Sequence, residues 1–521
     1  MVKVRGFCCH PRVIWLVVFS LTLALFSYLQ TVGTFADPDS FYHAKLTILL
    51  RDTGIVREFP WTQSSLYKDI FIDHHLGYHL LLIPFVSVFP ELVGLQIATV
   101  LFATFSVLAV LWCLKKWRVD GWWGWLILLL TAAPFVFRLS LGKAPSIGIG
   151  VAVIAYYLIT ERKLSWLFWW TWFFTWLYSA WLLTLVMAIV YLIVESFSQL
   201  PFGLKLITKR LFAWSNFKLI LIMLTGVTAG IVINPYFPNN LFYLKHLFAV
   251  ALVPYSKLIG VGAEWYPFSP FDLPVRLTYP LLGWILTTIV GFFSFKRQSV
   301  LSRSTWCLAV VFLIYTLRAR RQVEYLTPWL IMSSALLLRD WGLVWSWQNL
   351  LKLWQKFYVA FPRWLKRKVV LIGIAVYLVL LVPWWLVYGV QTTKNALASG
   401  FSFEMLKPAS TWLAGNTPTR SIIWQTDWGS FPMLFYHNTS NYYLTGLDQT
   451  YMYEYNQDKY WQWIKIDSAE YEGDVYKVIK ETFKASYVLV EKRVGAMLRY
   501  INRDSRFSKV YEDKEVIIYK L

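Results

Sequence analysis

Charge is scarce in this chain, and negative charge is scarcer still. Of 521 residues only 15% are charged, and 29 Asp and Glu face 50 Lys and Arg. A soluble domain carries about a quarter charged residues, so a soluble enzyme is excluded, as is a disordered or collagen-like chain. Cysteine is also rare. The four are Cys8, Cys9, Cys113 and Cys307, none of them in the hydrophilic C-terminal part, so no disulfide framework and no cysteine metal-ligand spacing exist there. Cys8 and Cys9 adjoin the first apolar run and read as acylation sites or as plain thiols. That run, about 13–33, lacks a small-residue cleavage site and is long enough to span a ~30 Å hydrocarbon core, so it is a span and not a signal peptide. Apolar and aromatic residues are abundant instead: 57% hydrophobic, with 30 Trp, 31 Tyr and 37 Phe. The chain belongs in a membrane.

The net charge of +21 resembles a nucleic-acid signal, but its distribution excludes that partner. From Lys394 onward 16 cations face 15 acids, whereas residues 1–391 hold 34 against 14. Eleven apolar runs read as spans, roughly 13–33, 92–114, 122–137, 145–160, 164–179, 181–197, 219–234, 278–295, 304–317, 325–338 and 369–390. The loops at 1–12, 115–121, 161–163, 198–218, 296–303 and 339–368 then share one side, with 22 cations and three acids, Asp120, Glu161 and Asp340. Cation-rich loops lie in the cytoplasm. The expected fold is therefore a polytopic α-helical membrane protein of about eleven spans, N-terminus inside. Residues 76–91 read as a helix along the outer interface. From about 392 the apolar segments shorten to strand length (Ile422–Trp424, Tyr442–Leu444, Tyr487–Val490, Val516–Tyr519), and helical patterns near 403–414, 474–485 and 494–503 separate them. This predicts a small outer α/β domain, 392–521, after a membrane domain, 1–391.

Several polar residues on the expected outer side call for a reason. Asp37-Pro38-Asp39 beyond the first span offers hard oxygen ligands for a divalent cation, or a simple helix-starting turn. Asp73, His75 and His79 close the same loop, and His75 and His79 are four apart, as a metal pair or a hydrogen-bonded cluster would be. Arg138 and Lys143 sit in a short turn, either to neutralise phosphate or to reach lipid headgroups. Glu264 is a lone acid in an aromatic loop, where a carboxylate is costly unless paired or solvated. Arg318, Arg320 and Arg321 run against the positive-inside trend and call for an anion. Asp427-Trp428-Gly429, after Trp424, ends a strand and reads as a helix cap or as a ledge for a polar ligand.

Taken in order and on one side, Asp37-Pro38-Asp39 with His43 following, the Glu264 loop, the Arg318–Arg321 cluster and Asp427-Trp428-Gly429 resemble the GT-C polytopic glycosyltransferases, most of all the catalytic subunit of oligosaccharyltransferases. The resemblance implies catalytic roles for Asp37, Asp39 and Glu264. It implies an acceptor-orienting arginine at Arg321 or a neighbour, acceptor reading by Asp427-Trp428-Gly429 beside Trp424, and a divalent cation, Mg or Mn. The family carries a second acidic pair where this chain has Leu141-Gly142-Lys143-Ala144-Pro145. A lysine there points to direct neutralisation of phosphate. Gln425 and Thr426 stand where the family's acceptor motif has two tryptophans, a departure that speaks against reading of an asparagine sequon and leaves another protein residue, a glycan or a lipid as acceptor.

The activity expected is transfer of a sugar or oligosaccharide from a polyprenyl-linked (pyro)phosphate to a protein, glycan or lipid acceptor outside a prokaryotic plasma membrane. Arg138, Lys143, Arg318, Arg320 and Arg321 would meet the donor phosphate. The rivals are a catalytically dead scaffold of the same fold and a lipid transporter or flippase. The latter would place ionisable groups deep within paired, broken spans, whereas here they cluster at one interface.

Overall fold

The computed structural model describes residues 11–198, 213–253, 255–269, 271–342 and 368–521. Cys8, Cys9 and much of the cationic loops at 198–218 and 339–368 lie outside these residues.

Apolar runs without internal polar breaks become helices because only a helix satisfies its own backbone in hydrocarbon. All eleven expected segments are helical. In chain order the helices are α1 (Pro11–Leu29), α2 (Asp39–Thr53), α3 (Leu76–Val88), α4 (Glu91–Lys116), α5 (Trp125–Leu130), α6 (Ala133–Leu139), α7 (Pro145–Thr160), α8 (Leu164–Leu177) and α9 (Leu182–Ser198). They continue with α10 (Trp214–Val232), α11 (Asn240–Leu252), α12 (Asp272–Arg276), α13 (Thr278–Phe293), α14 (Val300–Arg318), α15 (Val323–Asp340) and α16 (Lys368–Ala398). Among the described residues, five stretches are long and apolar enough to cross a bilayer: Pro11–Leu29, Glu91–Lys116, Ser179–Phe197, Trp214–Val232 and Val300–Arg318. The chain is an integral membrane protein.

The run expected as one span at 122–137 is instead two helical pieces, Trp122–Leu130 and α6, bent by 91°. Thr131 and Ala132 break the ladder, and Pro134, which lacks an N–H, starts the new helix. Helix α8 packs along α10. A Cβ at Gly226 would meet Thr171 Oγ1 and Phe168 O, and one at Gly230 would lie 3.0 Å from Trp172 O. Glycines four apart thus let two backbones touch where side chains would hold them apart.

The C-terminal region holds a five-stranded sheet of β3 (Ile422–Gln425), β4 (Tyr442–Tyr443), β5 (Tyr487–Glu491), β6 (Ser508–Glu512) and β7 (Val516–Lys520), in the order β4-β3-β5-β7-β6. The β3 strand pairs parallel with β4 and β5, while β7 runs antiparallel to β5 and β6. The helical patterns expected near 403–414 and 474–485 appear as Lys407–Asn416 and as Val475–Lys477 running into a π turn over Val478–Thr482. A short two-strand clip joins β1 (Thr34–Phe35) to β2 (Phe401–Ser402). The segment between α2 and α3 also lies on the free edge of β4, where Tyr443 N donates to Trp61 O and Gln63 N donates to Tyr443 O. The first loop of the chain is thereby bound to its last 120 or so residues, and the site forms where they meet.

Candidate active site

Two contacts build the centre. The turn between α6 and α7 comes so close to α2 that a Cβ on Gly142 would lie 3.1 Å from Ser40 Oγ and 3.2 Å from a Leu95 methyl. Lys143, next in sequence, places its Nζ 2.7 Å from Asp37 Oδ2 and 2.8 Å from Asp39 Oδ2. Asp37 also accepts the Asp39 N–H at 3.0 Å, which holds the first turn of α2. Burial, aided by the charge of Asp37, outweighs Lys143 and pushes the Asp39 carboxyl up to about 6. Burial opposes the Lys143 ammonium, but the two aspartates hold it well above its ordinary value.

The second contact centres on Glu264. Its Oε2 accepts from Arg138 Nη1 at 2.5 Å and its Oε1 pairs with Arg321 Nη1 at 3.0 Å. Arg138 is held from behind by Glu324, 1% exposed, whose Oε2 accepts its Nε at 2.7 Å. Arg321 donates to the Tyr178 hydroxyl and lies 4.4 Å from the centre of the Trp265 ring. Burial alone would raise the Glu264 carboxyl, but Arg321, Arg138 and Lys143 hold it well below the usual range. The ends of α2, α6 and α7, the 255–269 loop and the turn before α15 thus meet around one cavity of about 840 Å³, which Asp427, Trp428 and Gly429 close from the sheet side.

Asp427 is both cap and wall. Its Oδ1 accepts the Gly429 N–H at 2.8 Å and its Oδ2 accepts from Arg493 at 2.8 Å. The Trp428 indole N–H donates to Gln449, whose amide also donates to Gly260 O at 2.9 Å, so the long loop and the sheet are tied together at this ring.

Some expected residues fall elsewhere. Trp424 is fully buried, edge-on to Phe483, in a strand covered on both faces, since Ile423 and Gln425 on its other side are fully buried as well. Arg318 ends α14 in an exposed position and does not line the cavity. Arg320 lines it, but its guanidinium is spent on the Tyr266 and Pro267 carbonyls. The His75 and His79 rings meet edge to face, with their centres 6.4 Å apart. Asp73 binds the ring of one and the backbone of the other: Oδ2 takes His79 Nδ1 at 2.7 Å, and Oδ1 takes the His75 backbone N–H at 3.0 Å. The set does not suit a divalent ion. Lys143 already fills the space between Asp37 and Asp39, and among the described residues no three His, Cys, Asp or Glu side chains converge as metal ligands.

Tyr42, His43, Tyr178 and His246 also line the cavity, and Glu324 supports it. Only His43, beside the Asp37-Pro38-Asp39 motif, carried a signal in the sequence.

Compared by sequence, the chain matches no family model and none of the curated proteins. Compared by structure, it superposes on the oligosaccharyltransferase AglB of Archaeoglobus fulgidus, solved with an inhibitory peptide and a dolichol-phosphate. The TM-score is 0.61 at 14% identity, over 97% of this chain and 74% of that one. It also superposes on ArnT of Cupriavidus metallidurans bound to undecaprenyl phosphate, with a TM-score of 0.56 at 13% identity, over 97% of each chain. The fold is GT-C. On this GT-C frame the charged cavity lies between the membrane helices and the C-terminal sheet.

Proposed function

We propose that the chain is a glycosyltransferase that moves a sugar or oligosaccharide from a polyprenyl-linked phosphate or pyrophosphate to a protein, glycan or lipid acceptor. Residues 1–391 form the membrane catalytic part with eleven crossings, N-terminus in the cytoplasm. Residues 392–521 form the acceptor-binding part outside, on the plasma membrane of a prokaryote. One observation carries the reading: Asp37, Asp39, Arg138, Lys143, Glu264 and Arg321, spread over almost 300 residues of sequence, converge on one cavity in a GT-C fold. A lipid-linked sugar is too amphipathic for a soluble pocket. Its reacting carbon passes through an oxocarbenium-like transition state as the phosphate leaves. Lys143, with Arg138 and Arg321, offers positive charge to that leaving group, and Asp39 with Asp37 polarises the acceptor.

The test is transfer by the purified protein in lipid nanodiscs, given undecaprenyl- and dolichyl-phosphate-linked sugars with and without EDTA. Transfer that survives EDTA is expected. Loss of transfer on chelation, restored by Mg or Mn, would return the metal to the site. Lys143 quenching both Asp37 and Asp39 is the observation that favours a second reading, an inactive scaffold. Binding of lipid phosphate without turnover of any donor is its signature.

A further inference from the structure

Helix α2 carries a second ionisable group on the face that holds Asp39. His43 follows it by four residues, one turn along the helix, and also lines the cavity. His43 is 4% exposed, and its Nδ1 lies 2.8 Å from Nε2 of His79, which is fully buried. The Nδ1 of His79 lies in turn 2.7 Å from Oδ2 of Asp73, 4% exposed.

The direction of these bonds follows from which atoms can donate. A carboxylate only accepts, so the His79 proton is on Nδ1 and its Nε2 is an acceptor in the neutral ring. That acceptor takes the proton on His43 Nδ1, which leaves Nε2 of His43 with a free lone pair. No described residue hydrogen-bonds to that nitrogen. Burial, with His79 and Lys143 near by, lowers the His43 pKa well below its ordinary value, so the ring stays neutral. Three groups from two segments thus set one tautomer at the cavity wall.

We propose that Asp73, His79 and His43 form a relay whose end, His43 Nε2, takes the proton of the acceptor, and that the acceptor atom is a hydroxyl oxygen. This rests on the glycosyl-transfer reading above. In the step the hydroxyl oxygen bonds to the anomeric carbon, and the bond from that carbon to the phosphate oxygen breaks. Its electron pair leaves with the lipid phosphate, and the proton goes to Nε2. The imidazolium so formed is balanced through His79 by Asp73, as in other triads. Asp37 and Asp39, both bonded to Lys143, orient the acceptor. An amide nitrogen, with its lone pair delocalised, would need those two carboxylates free.

Asp73→Asn separates a relay from a buried polar cluster. Asn presents an N–H to His79 Nδ1 and reverses the chain without breaking it, which puts a proton on His43 Nε2. ¹⁵N-histidine-labelled full-length protein in micelles reports this directly, with the His43 signals assigned by their loss in His43→Gln. An unprotonated Nε2 in the wild type and a protonated one in Asp73→Asn are expected. A protonated wild-type Nε2 overturns the relay, and this readout needs no substrate. In transfer from undecaprenyl- or dolichyl-phosphate-linked sugars to a saccharide, kcat of Asp73→Asn should fall about 10²–10⁴-fold, with acceptor KM nearly unchanged. A reversed tautomer with undiminished kcat overturns the base assignment, as does transfer to the asparagine of a peptide. If Asp73→Asn does not fold, His43→Ala serves: return of transfer on adding imidazole supports the base, and no return overturns it. A wild type with the expected tautomer but no transfer from any donor overturns the glycosyl-transfer reading itself.

Discussion

Lys143 is the residue on which the site turns. Without it Asp37 and Asp39 would face each other as like charges, and under the proposed function the donor phosphate would lose one of its cations. Lys143→Ala should raise the donor KM about tenfold or more, ~1.4 kcal/mol, with little change in acceptor KM. Unchanged donor kinetics would mean that the lysine merely reaches for headgroups. Asp39 adds a pH dependence of definite sign. Its carboxyl is pushed up to about 6 by burial, so kcat/KM should fall as pH drops through 6 and the carboxylate takes a proton. A raised carboxyl binds its proton more tightly in the folded state, so the same titration contributes no acid destabilisation. The expected pattern is loss of activity between pH 7 and 5 with no fall in Tm on this account, and Asp39→Asn removes the limb. An acid limb near 6 that persists in Asp39→Asn assigns it to another group.

At the scale of elements, a bend and a strand end position the chemistry. The 91° break ahead of α6 turns Arg138 towards Glu264 and carries the chain to Gly142, where the α6–α7 turn meets α2. Gly142→Val would place two methyls where a Cβ is already tight against Ser40 and Leu95. It should cut activity at least as far as Lys143→Ala, at a stability cost of about 1–3 kcal/mol for overpacking; full activity would show that the close approach is dispensable. Trp428→Ala removes an aromatic wall and the indole bond to Gln449. It should chiefly raise the acceptor KM and leave kcat nearly intact, provided the variant keeps its Tm. Normal KM with collapsed kcat would put Trp428 in the reaction centre. The four strands read from apolar runs were legible because each is short, β-rich and buried on the sheet. Ser508–Glu512 was not, since an edge strand with mostly exposed side chains has no such run. Helix α2 was legible only as one of two readings of the Asp37-Pro38-Asp39 turn, because polar and apolar residues are mixed along it and its packing on α3 and on the Phe431–His437 helix is what holds it.

For the whole molecule, sidedness is the prediction that matters most. Reporter fusions at Lys116, Lys257 and Leu521 should read inside, outside and outside, since the cations concentrate in loops read as cytoplasmic. A cytoplasmic C-terminus would separate the cavity from an outer-face acceptor. The sequence by itself determined that the chain is a membrane protein, that its helices alternate with cation-rich loops, and that a strand-and-helix region follows them. Composition and hydropathy are local quantities, and solvation in lipid reads them residue by residue. The motif order also marked Asp37, Asp39, Lys143, Glu264, Arg321 and Asp427 as candidates. Which charges pair was decided only by the tertiary structure. Lys143 with Asp37 and Asp39, Arg138 between Glu264 and Glu324, and His43 behind His79 and Asp73 are contacts across tens to hundreds of residues. They depend on a helix bend, a glycine contact and a sheet edge that seats the first loop. Distance and desolvation set the chemistry of such groups, and neither is written in the spacing of residues along a chain.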